Sequence, residues 1–152
     1  MTDGITGGQL RAMSYEELES LCEELRRNII ESVMANGGHL SSNLGMVELT
    51  VALHYVFDFP RDKVVFDVGH QCYAHKMLSG RAAGFAKLRK RGGVSGFPKR
   101  EESAYDCYNT GHAGTSVSAA MGIAKARDLS GKDYSVIAVI GDGSFNNGLV
   151  YE

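Results

Sequence analysis

A short run of β-branched and apolar residues that ends in Gly-Asp-Gly is the feature that most constrains the fold of this chain. The run covers Tyr134–Ile140, and Gly141, Asp142 and Gly143 follow it directly. It indicates a buried parallel strand, and in open α/β sheets the carboxyl ends of such strands carry ligands. Asp142 offers a hard carboxylate oxygen for a divalent metal, and its glycine neighbours let a diphosphate approach the backbone. Alone, the motif more often marks an ordinary strand-to-helix turn with a solvated aspartate.

The first long helix is marked by its own start and stop signals. Ser14 and Glu17 have the spacing of a capping box, and apolar residues then recur at helical spacing. Gly37 and Gly38 end the pattern. We therefore predict an amphipathic helix between these signals, with an acidic first turn.

The rest of the chain alternates between helical and strand patterns. Such alternation predicts an α/β fold with a mostly parallel sheet and helices on both faces. No linker or repeat divides the sequence, so residues 1–152 are expected to form one domain. In chain order, the further predicted elements are a helix over 44–57 capped by Ser41–Asn43, a strand over 64–68, an irregular Gly- and Lys-rich segment, a helix over 116–129, the strand before Gly141 and the start of another helix.

The composition argues against several classes of function. The 16 basic and 18 acidic residues give a net charge of -2, so there is no electrostatic case for binding nucleic acid. No apolar stretch approaches the roughly 20 residues that span a bilayer, and the amino terminus lacks the basic and apolar regions of a signal peptide. We therefore expect a cytoplasmic protein with neither membrane nor nucleic-acid partners. The cysteines form no CxxC pair, which argues against a disulfide framework and a zinc site.

Four histidines, His39, His70, His75 and His112, lie in or beside turns rich in glycine or serine. Because such turns follow strands or precede helices in an α/β sheet, these side chains are expected to converge on one crevice. His39 is placed to move protons near neutral pH. An alternative for His39 is a structural role, in which its ring meets the dipole at the end of the preceding helix.

The turn Gly111-His112-Ala113 comes directly before a predicted helix of small residues. The first free amides of that helix are suited to bind an anionic oxygen. The alternative is that Thr115 or Ser116 simply caps the helix.

Five motifs, taken in order, make the chain similar to a known family. From about Leu25 onward the chain resembles the 1-deoxy-D-xylulose-5-phosphate synthase family. Gly-Asp-Gly occurs in many thiamine diphosphate enzymes, whereas Asp-Val-Gly-His-Gln and Gly-Phe-Pro-Lys-Arg resemble the synthase far more than its relative transketolase. The motifs are Ser42–His54, Asp67–Gln71 with His75 and Lys76 behind it, Gly92–Arg100, Gly111–Ser116 and Gly141–Gly143.

The resemblance implies a fold, a reaction and cofactors. The fold is the thiamine diphosphate-binding fold, of which this chain resembles the N-terminal, diphosphate-binding domain. The enzyme is a transferase that decarboxylates pyruvate and joins the remaining two-carbon unit to D-glyceraldehyde 3-phosphate, giving 1-deoxy-D-xylulose 5-phosphate. This product feeds isoprenoid, thiamine and pyridoxal biosynthesis. The cofactors implied are thiamine diphosphate and Mg²⁺, and the intact enzyme is implied to be a homodimer.

Matching motif to motif, the resemblance also implies roles for particular residues. The implied catalytic residues are His39, which transfers protons, and His70, which faces both cofactor and substrate. The further implied contacts are Gly111, His112, Ala113, Gly143 and Ser144 for the cofactor, with Asp142 as the magnesium ligand.

The chain departs from the family directly after Gly-Asp-Gly. Ser144–Asn147 stands where the family commonly has smaller or less polar residues. In this superfamily an asparagine about 25 to 30 residues after Gly-Asp-Gly completes the metal site, and a glutamate from a second domain activates the cofactor. Both are expected beyond Glu152, so the isolated chain is expected to be inactive unless a partner chain supplies them. Two alternatives stay open: the N-terminal subunit of a transketolase-like enzyme, and a noncatalytic remnant that serves as an interaction module.

Overall fold

The computed structural model of the chain describes residues 4–152, which form two compact units. The first unit contains the described residues up to Asp58 together with His70–Gly96. The second contains Phe59–Gly69 together with Phe97–Glu152. Each unit is therefore assembled from two separate stretches of chain. The organisation of residues 1–152 as a single domain stays a prediction.

The first unit is built from helices. In chain order these are α1 (Gly7–Ala12), α2 (Tyr15–Asn36), α3 (Ser41–Leu44), α4 (Val47–Val56) and α5 (Tyr73–Lys76), followed by a kinked segment, Met77–Arg81, and a 3₁₀ helix, Ala82–Lys87. Helix α4 packs against α1, α2 and α5. The core of the unit lies between these four helices.

Helix α2 begins and ends where the sequence predicts. The Ser14 hydroxyl accepts a hydrogen bond from the backbone N–H of Glu17, while the Glu17 carboxylate accepts one from the N–H of Ser14 at 2.7 Å. At the other end Gly37 has φ 75°, and its N–H donates to the carbonyl of Val33 at 2.8 Å. The capping-box and glycine-stop predictions are confirmed. The buried stripe of this helix consists of Leu21, Cys22, Leu25, Ile29 and Val33.

The second predicted helix is divided in two. Residues 41–44 form α3, and α4 begins only at Val47, after Met46, whose side chain makes no capping hydrogen bond. The prediction that Ser41–Asn43 caps one continuous helix is therefore wrong. The physical reason is that the Asn43 amide bonds to backbone groups of other segments instead of to the helix that follows it.

Helix α1 is not among the predicted elements, although it also carries a local signal. Thr6 and Gln9 form a second capping box, in which each accepts a hydrogen bond from the backbone N–H of the other. The Thr-x-x-Gln spacing is therefore the signal that would find this helix.

The second unit contains a parallel sheet. Strand β1 (Lys63–Phe66) pairs with β2 (Val136–Val139), so that Lys63 lies opposite Val136 and Phe66 opposite Val139. Helix α6 (Ser116–Leu129) packs against both strands and has the predicted bounds. A short helix, α7 (Asp142–Phe145), and a 3₁₀ helix, Gly148–Tyr151, follow β2. The prediction of an α/β fold with parallel strands is confirmed.

Among the helices described over residues 4–152, none is both long enough and apolar enough to cross a membrane.

We expect Ser14→Ala to lower the free energy of unfolding by about 1 kcal/mol, because it leaves an amide in the first turn of α2 without its acceptor. Urea unfolding followed by circular dichroism measures the change. Ser20→Ala is the matched control, since the Ser20 hydroxyl donates to the carbonyl of Glu16 inside the same helix. Equal losses in the two variants would contradict a specific capping role.

Candidate functional site

Two histidines of the first unit form an imidazole pair. The ring centroids of His39 and His70 lie 5.4 Å apart, with 69° between the ring planes. His39 follows Gly37 and Gly38 at the end of α2, and His70 lies shortly before α5. The structure thus brings together the two residues for which the family resemblance implies a catalytic role.

A buried asparagine connects the backbones of this imidazole pair. Asn43 is 1% exposed, and its Nδ2 donates to the carbonyl oxygens of His39 and His70, each at 2.7 Å. Its Oδ1 accepts a hydrogen bond from the backbone N–H of Tyr73 at 2.9 Å. The sequence gives no sign of these contacts, because His70 and Tyr73 lie 27 and 30 residues away along the chain.

The surroundings of His39 favour its neutral form. Burial lowers the pKa of His39, and the nearby His70 and Arg89 lower it further. A neutral ring near pH 7 is able to accept a proton. The Nδ1 atom of His70 is buried and has no hydrogen-bond partner among residues 4–152. The Nδ1 atom of His70 is therefore available for a polar contact that residues 4–152 do not supply.

A second histidine pair lies in the core of the first unit. The Nε2 atom of His54 lies 2.9 Å from Nδ1 of His75, and the two residues are 3% and 1% exposed. Burial, followed by the effects of His75 and Arg81, holds the pKa of His54 well below its usual value. This mutual contact accounts for the position of His75.

In the second unit, a carboxylate of the chain itself occupies the start of α6. Asp67 is 1% exposed and follows β1 directly. Its carboxylate accepts hydrogen bonds from the N–H of Gly114, at 2.9 and 3.1 Å, and from the N–H of Ser116, at 3.0 Å. The N–H groups of Gly114 and Ser116 are therefore already bonded within the chain, while anion binding by the turn and the other first amides of α6 stays a prediction. Thr115 is the N-cap residue, yet it makes no side-chain capping bond.

The balance of forces at Asp67 favours the charged form. Burial raises the pKa of this carboxyl group, but hydrogen bonds from Ser116, Gly114 and Ser144 outweigh burial and lower the pKa below its usual value. The carboxylate is therefore ionised at neutral pH and remains bonded to the backbone at the start of α6. The turn over residues 111–115 is thereby held at the end of β1.

The chain leaves β1 through a strained turn. The N–H of Gly69 donates to the carbonyl of Asp67 at 2.6 Å, which closes a three-residue turn around Val68. Val68 has φ 58°, a conformation that is costly for a β-branched residue. Gly69 has φ 88°, and a Cβ there would overlap Pro98 and Thr110. Strain of this kind clusters at functional sites, so the Asp-Val-Gly motif is a functional candidate.

The predicted cofactor and metal residues of the second unit are mostly exposed. Asp142 lies in the first turn of α7, and Ser144 is half-buried in the same helix. A Cβ built on Gly111, Gly141 or Gly143 meets no atom within 4 Å. Within residues 4–152, no group of three or more histidine, cysteine or acidic residues is arranged to hold a metal. The exposed predicted residues are Gly111, His112, Ala113, Asp142 and Gly143.

The convergence of His39, His70, His112 and Asp142 on one crevice stays a prediction. The first two belong to the first unit, and the last two belong to the second.

Comparison with known proteins decides the family. A family model described as 1-deoxy-D-xylulose-5-phosphate synthase matches residues 5–152. The chain belongs to the 1-deoxy-D-xylulose-5-phosphate synthase family. The resemblance that the five motifs indicate is thereby confirmed.

Curated relatives with this name have high identity to the chain. The protein of Clostridium tetani is 59% identical over 143 residues, which are 94% of this chain and 23% of the relative. The protein of Desulforudis audaxviator is 56% identical over all of this chain and 24% of its own length. That of Dictyoglomus turgidum is 58% identical over 94% of this chain and 23% of its own length. The chain thus spans about a quarter of the synthases that it matches.

We expect the free energy of unfolding to fall as the pH is lowered from about 7.5 to about 5. Because the folded chain lowers the pKa of His54, the unfolded chain takes up a proton first, near the ordinary value of 6.5. The stabilisation that comes from keeping His54 neutral is fully present above pH 6.5. It is lost as the pH falls from there towards the pKa of the folded chain, at up to about 1.4 kcal/mol per pH unit. Urea unfolding at several pH values should show a shallower slope for His54→Gln than for the wild type. An unchanged slope in His54→Gln would contradict the explanation.

We expect Asp67→Asn to lower the free energy of unfolding by about 1.5–3 kcal/mol, because a charged acceptor is lost while buried N–H groups remain. The new side-chain NH₂ group is itself a donor, and it would face the N–H donors of Gly114 and Ser116 instead of accepting from them. Chemical unfolding at neutral pH measures the loss. Asp133→Asn is the exposed control and should leave the unfolding midpoint unchanged; an equally small effect of Asp67→Asn would contradict the capping role.

Proposed function

We propose that this chain forms the diphosphate-binding part of a thiamine diphosphate-dependent transferase. The proposed reaction condenses pyruvate with D-glyceraldehyde 3-phosphate, releases CO₂ and yields 1-deoxy-D-xylulose 5-phosphate, an isoprenoid precursor. The observation that carries the proposal is the match of residues 5–152 to the synthase family. Because the synthases are about four times as long as this chain, the remainder of the site is assigned to further sequence or to a partner chain. Residues 1–152 alone are proposed to be inactive.

The residues at the end of β2 are chemically suited to a magnesium diphosphate. Mg²⁺ is commonly held by one or two carboxylates together with phosphate oxygens and water, and Asp142 supplies one exposed carboxylate. The open space around the Cα atoms of Gly111 and Gly143 leaves room for a ligand to approach the backbone. We assign the metal to Asp142, and the cofactor contacts to Gly111, His112, Ala113, Gly143 and Ser144, with His70 as a further contact.

The proposed division of labour follows from the chemistry of the groups. Bound thiamine diphosphate supplies the carbon nucleophile and the electron sink that decarboxylation requires. The imidazole pair then holds and moves protons, since the pKa of His39 is lowered and its ring is neutral near pH 7. The buried Nδ1 of His70 supports a polar contact with the cofactor or substrate.

Protein partners are proposed from the exposed apolar side chains of each unit. A homodimer in the intact enzyme, located in the cytoplasm, is the proposed assembly. Alternatively, the part of the enzyme that lies outside residues 1–152 packs against these apolar side chains. The most exposed of these side chains are Met34 at 79%, Tyr15 at 72% and Val56 at 66% in the first unit, and Leu129 at 78%, Tyr151 at 68% and Met121 at 65% in the second.

A chimera tests the proposed reaction. Residues 5–152 would replace the matching segment of the Clostridium tetani relative, and product formation from pyruvate and D-glyceraldehyde 3-phosphate would be followed by mass spectrometry. We expect product and CO₂ that depend on thiamine diphosphate and Mg²⁺. A folded chimera that transfers ketol units between sugar phosphates, or that binds the cofactor without turnover, would contradict the proposal.

In this chimera we expect Asp142→Ala and His39→Ala to fail in different ways. Loss of the Asp142 carboxylate should abolish metal-dependent cofactor binding, as measured by calorimetry with Mg²⁺. Loss of the His39 ring should lower turnover by about 10²- to 10⁴-fold and leave cofactor affinity nearly intact. Asp133→Ala is the exposed control for both measurements. A comparable loss of cofactor binding in both variants would mean that His39 is structural.

A further inference from the structure

We propose that Asn43 is a positioning residue that sets the separation and orientation of the imidazole pair. The positioning is a property of the first unit alone. Its consequence for turnover rests on the proposed function.

The side chain of Asn43 uses its hydrogen-bonding groups on three backbone groups that belong to two segments. A primary amide has two N–H donors and one carbonyl acceptor. The two donors serve the carbonyls of His39 and His70, and the acceptor serves the N–H of Tyr73. Because Asn43 is 1% exposed, water does not readily replace these partners. One side chain therefore cross-links the end of α2 to the segment that enters α5.

The bonds act at the backbones that carry the two rings. With both carbonyls held at 2.7 Å from the same nitrogen, the Cα atoms of His39 and His70 have little freedom to move apart. This spacing holds the two backbones at a separation at which the rings meet in a T-shaped arrangement, with centroids 5.4 Å apart. Both rings can then face a single bound molecule, as a shared proton-transfer site requires.

Neighbouring contacts support the same geometry. Tyr73 is fully buried, and its hydroxyl lies 3.4 Å from the backbone N–H of His39. Its ring packs edge-on against Phe85, with centroids 5.5 Å apart. Gly38 has φ 147°, and a Cβ at this position would lie 2.8 Å from the Tyr73 hydroxyl. Asn43 thus acts on a segment that is already closely packed against Tyr73, where a small backbone shift would turn the His39 ring.

The direct test uses nuclear magnetic resonance on the 152-residue chain. In the wild type we expect a cross-peak between the ring protons of His39 and His70, and slow solvent exchange of the Asn43 side-chain amide hydrogens. In Asn43→Ala we expect the ring cross-peak to disappear and the pKa of His39 to move towards its ordinary value. Asn36→Ala is the matched control, because the Asn36 amide is partly buried and donates to the carbonyls of Ser32 and Phe85. This control should keep the ring cross-peak and the lowered pKa of His39.

A second variant separates positioning from loss of the fold. Asn43→Asp has the same shape and keeps the acceptor for the Tyr73 N–H, but it loses both donors. Only the ring cross-peak is used for this variant, because the new charge acts on the histidines directly. A cross-peak of wild-type intensity in the alanine and aspartate variants would overturn the proposal. If neither variant folds, the test is the solvent exchange of the Asn43 side-chain amide hydrogens in the wild type. Fast exchange of these hydrogens would also overturn the proposal.

Activity of the chimera extends the test to catalysis. Asn43→Ala should lower kcat about 10- to 100-fold, change KM little and shift the pH profile, because misplaced proton-transfer groups cost turnover rather than binding. Asn36→Ala should keep the wild-type profile. If the chimera with Asn43 intact is inactive, the proposed function fails, while the resonance data still decide the positioning. A loss of ring contact with unchanged kcat and pH profile would overturn the catalytic consequence alone.

Discussion

The buried carboxylate of Asp67 is the interaction on which the second unit depends. It follows β1 and bonds to the N–H groups of Gly114 and Ser116, which lie 47 and 49 residues further along the chain. Three charge-assisted contacts at the start of a helix offset the cost of burying the charge, and the positive end of the helix dipole adds to them. The bond ties the sheet to α6 and holds the turn that carries His112. The N–H groups of Gly114 and Ser116 are thereby already bonded within the chain.

Asn43 plays an equivalent part in the first unit, with a neutral amide in place of a carboxylate. Both side chains are almost completely buried, and both satisfy backbone groups of segments that are far apart in the sequence. A buried polar side chain of this kind is stable only when its partners are all in place, which makes the local geometry specific. The two motifs that look like a helix cap and a ligand-binding loop are therefore used first to assemble the protein. Their neighbours His39, His70 and Ser144, for which ligand contacts are proposed, are positioned as a result.

The candidate site has two kinds of environment. The imidazole pair of the first unit is partly buried, which lowers the pKa of His39 and suits proton transfer. Asp142 and the turn over residues 111–113 in the second unit are exposed, which suits a highly charged metal diphosphate that needs few apolar contacts. Family membership connects the two sets of residues in one proposed reaction, although the chain spans about a quarter of its relatives. The chemistry expected of each set agrees with its surroundings.

The sequence by itself determined the elements whose signals are local. Ser14 with Glu17 and the glycines after Asn36 mark the ends of α2, small residues mark α6, and the β-branched run before Gly141 marks β2; the motif order also identifies the family. Only the packed chain shows that Asn43 is a cross-link instead of a cap, and that Asp67 accepts hydrogen bonds from Gly114 and Ser116 at the start of α6. Capping and periodicity act over a few residues and can be read in one sequence. Apart from His39, the partners of Asn43 and Asp67 are 27 to 49 residues away and become neighbours only when the chain packs, so no local pattern can specify them.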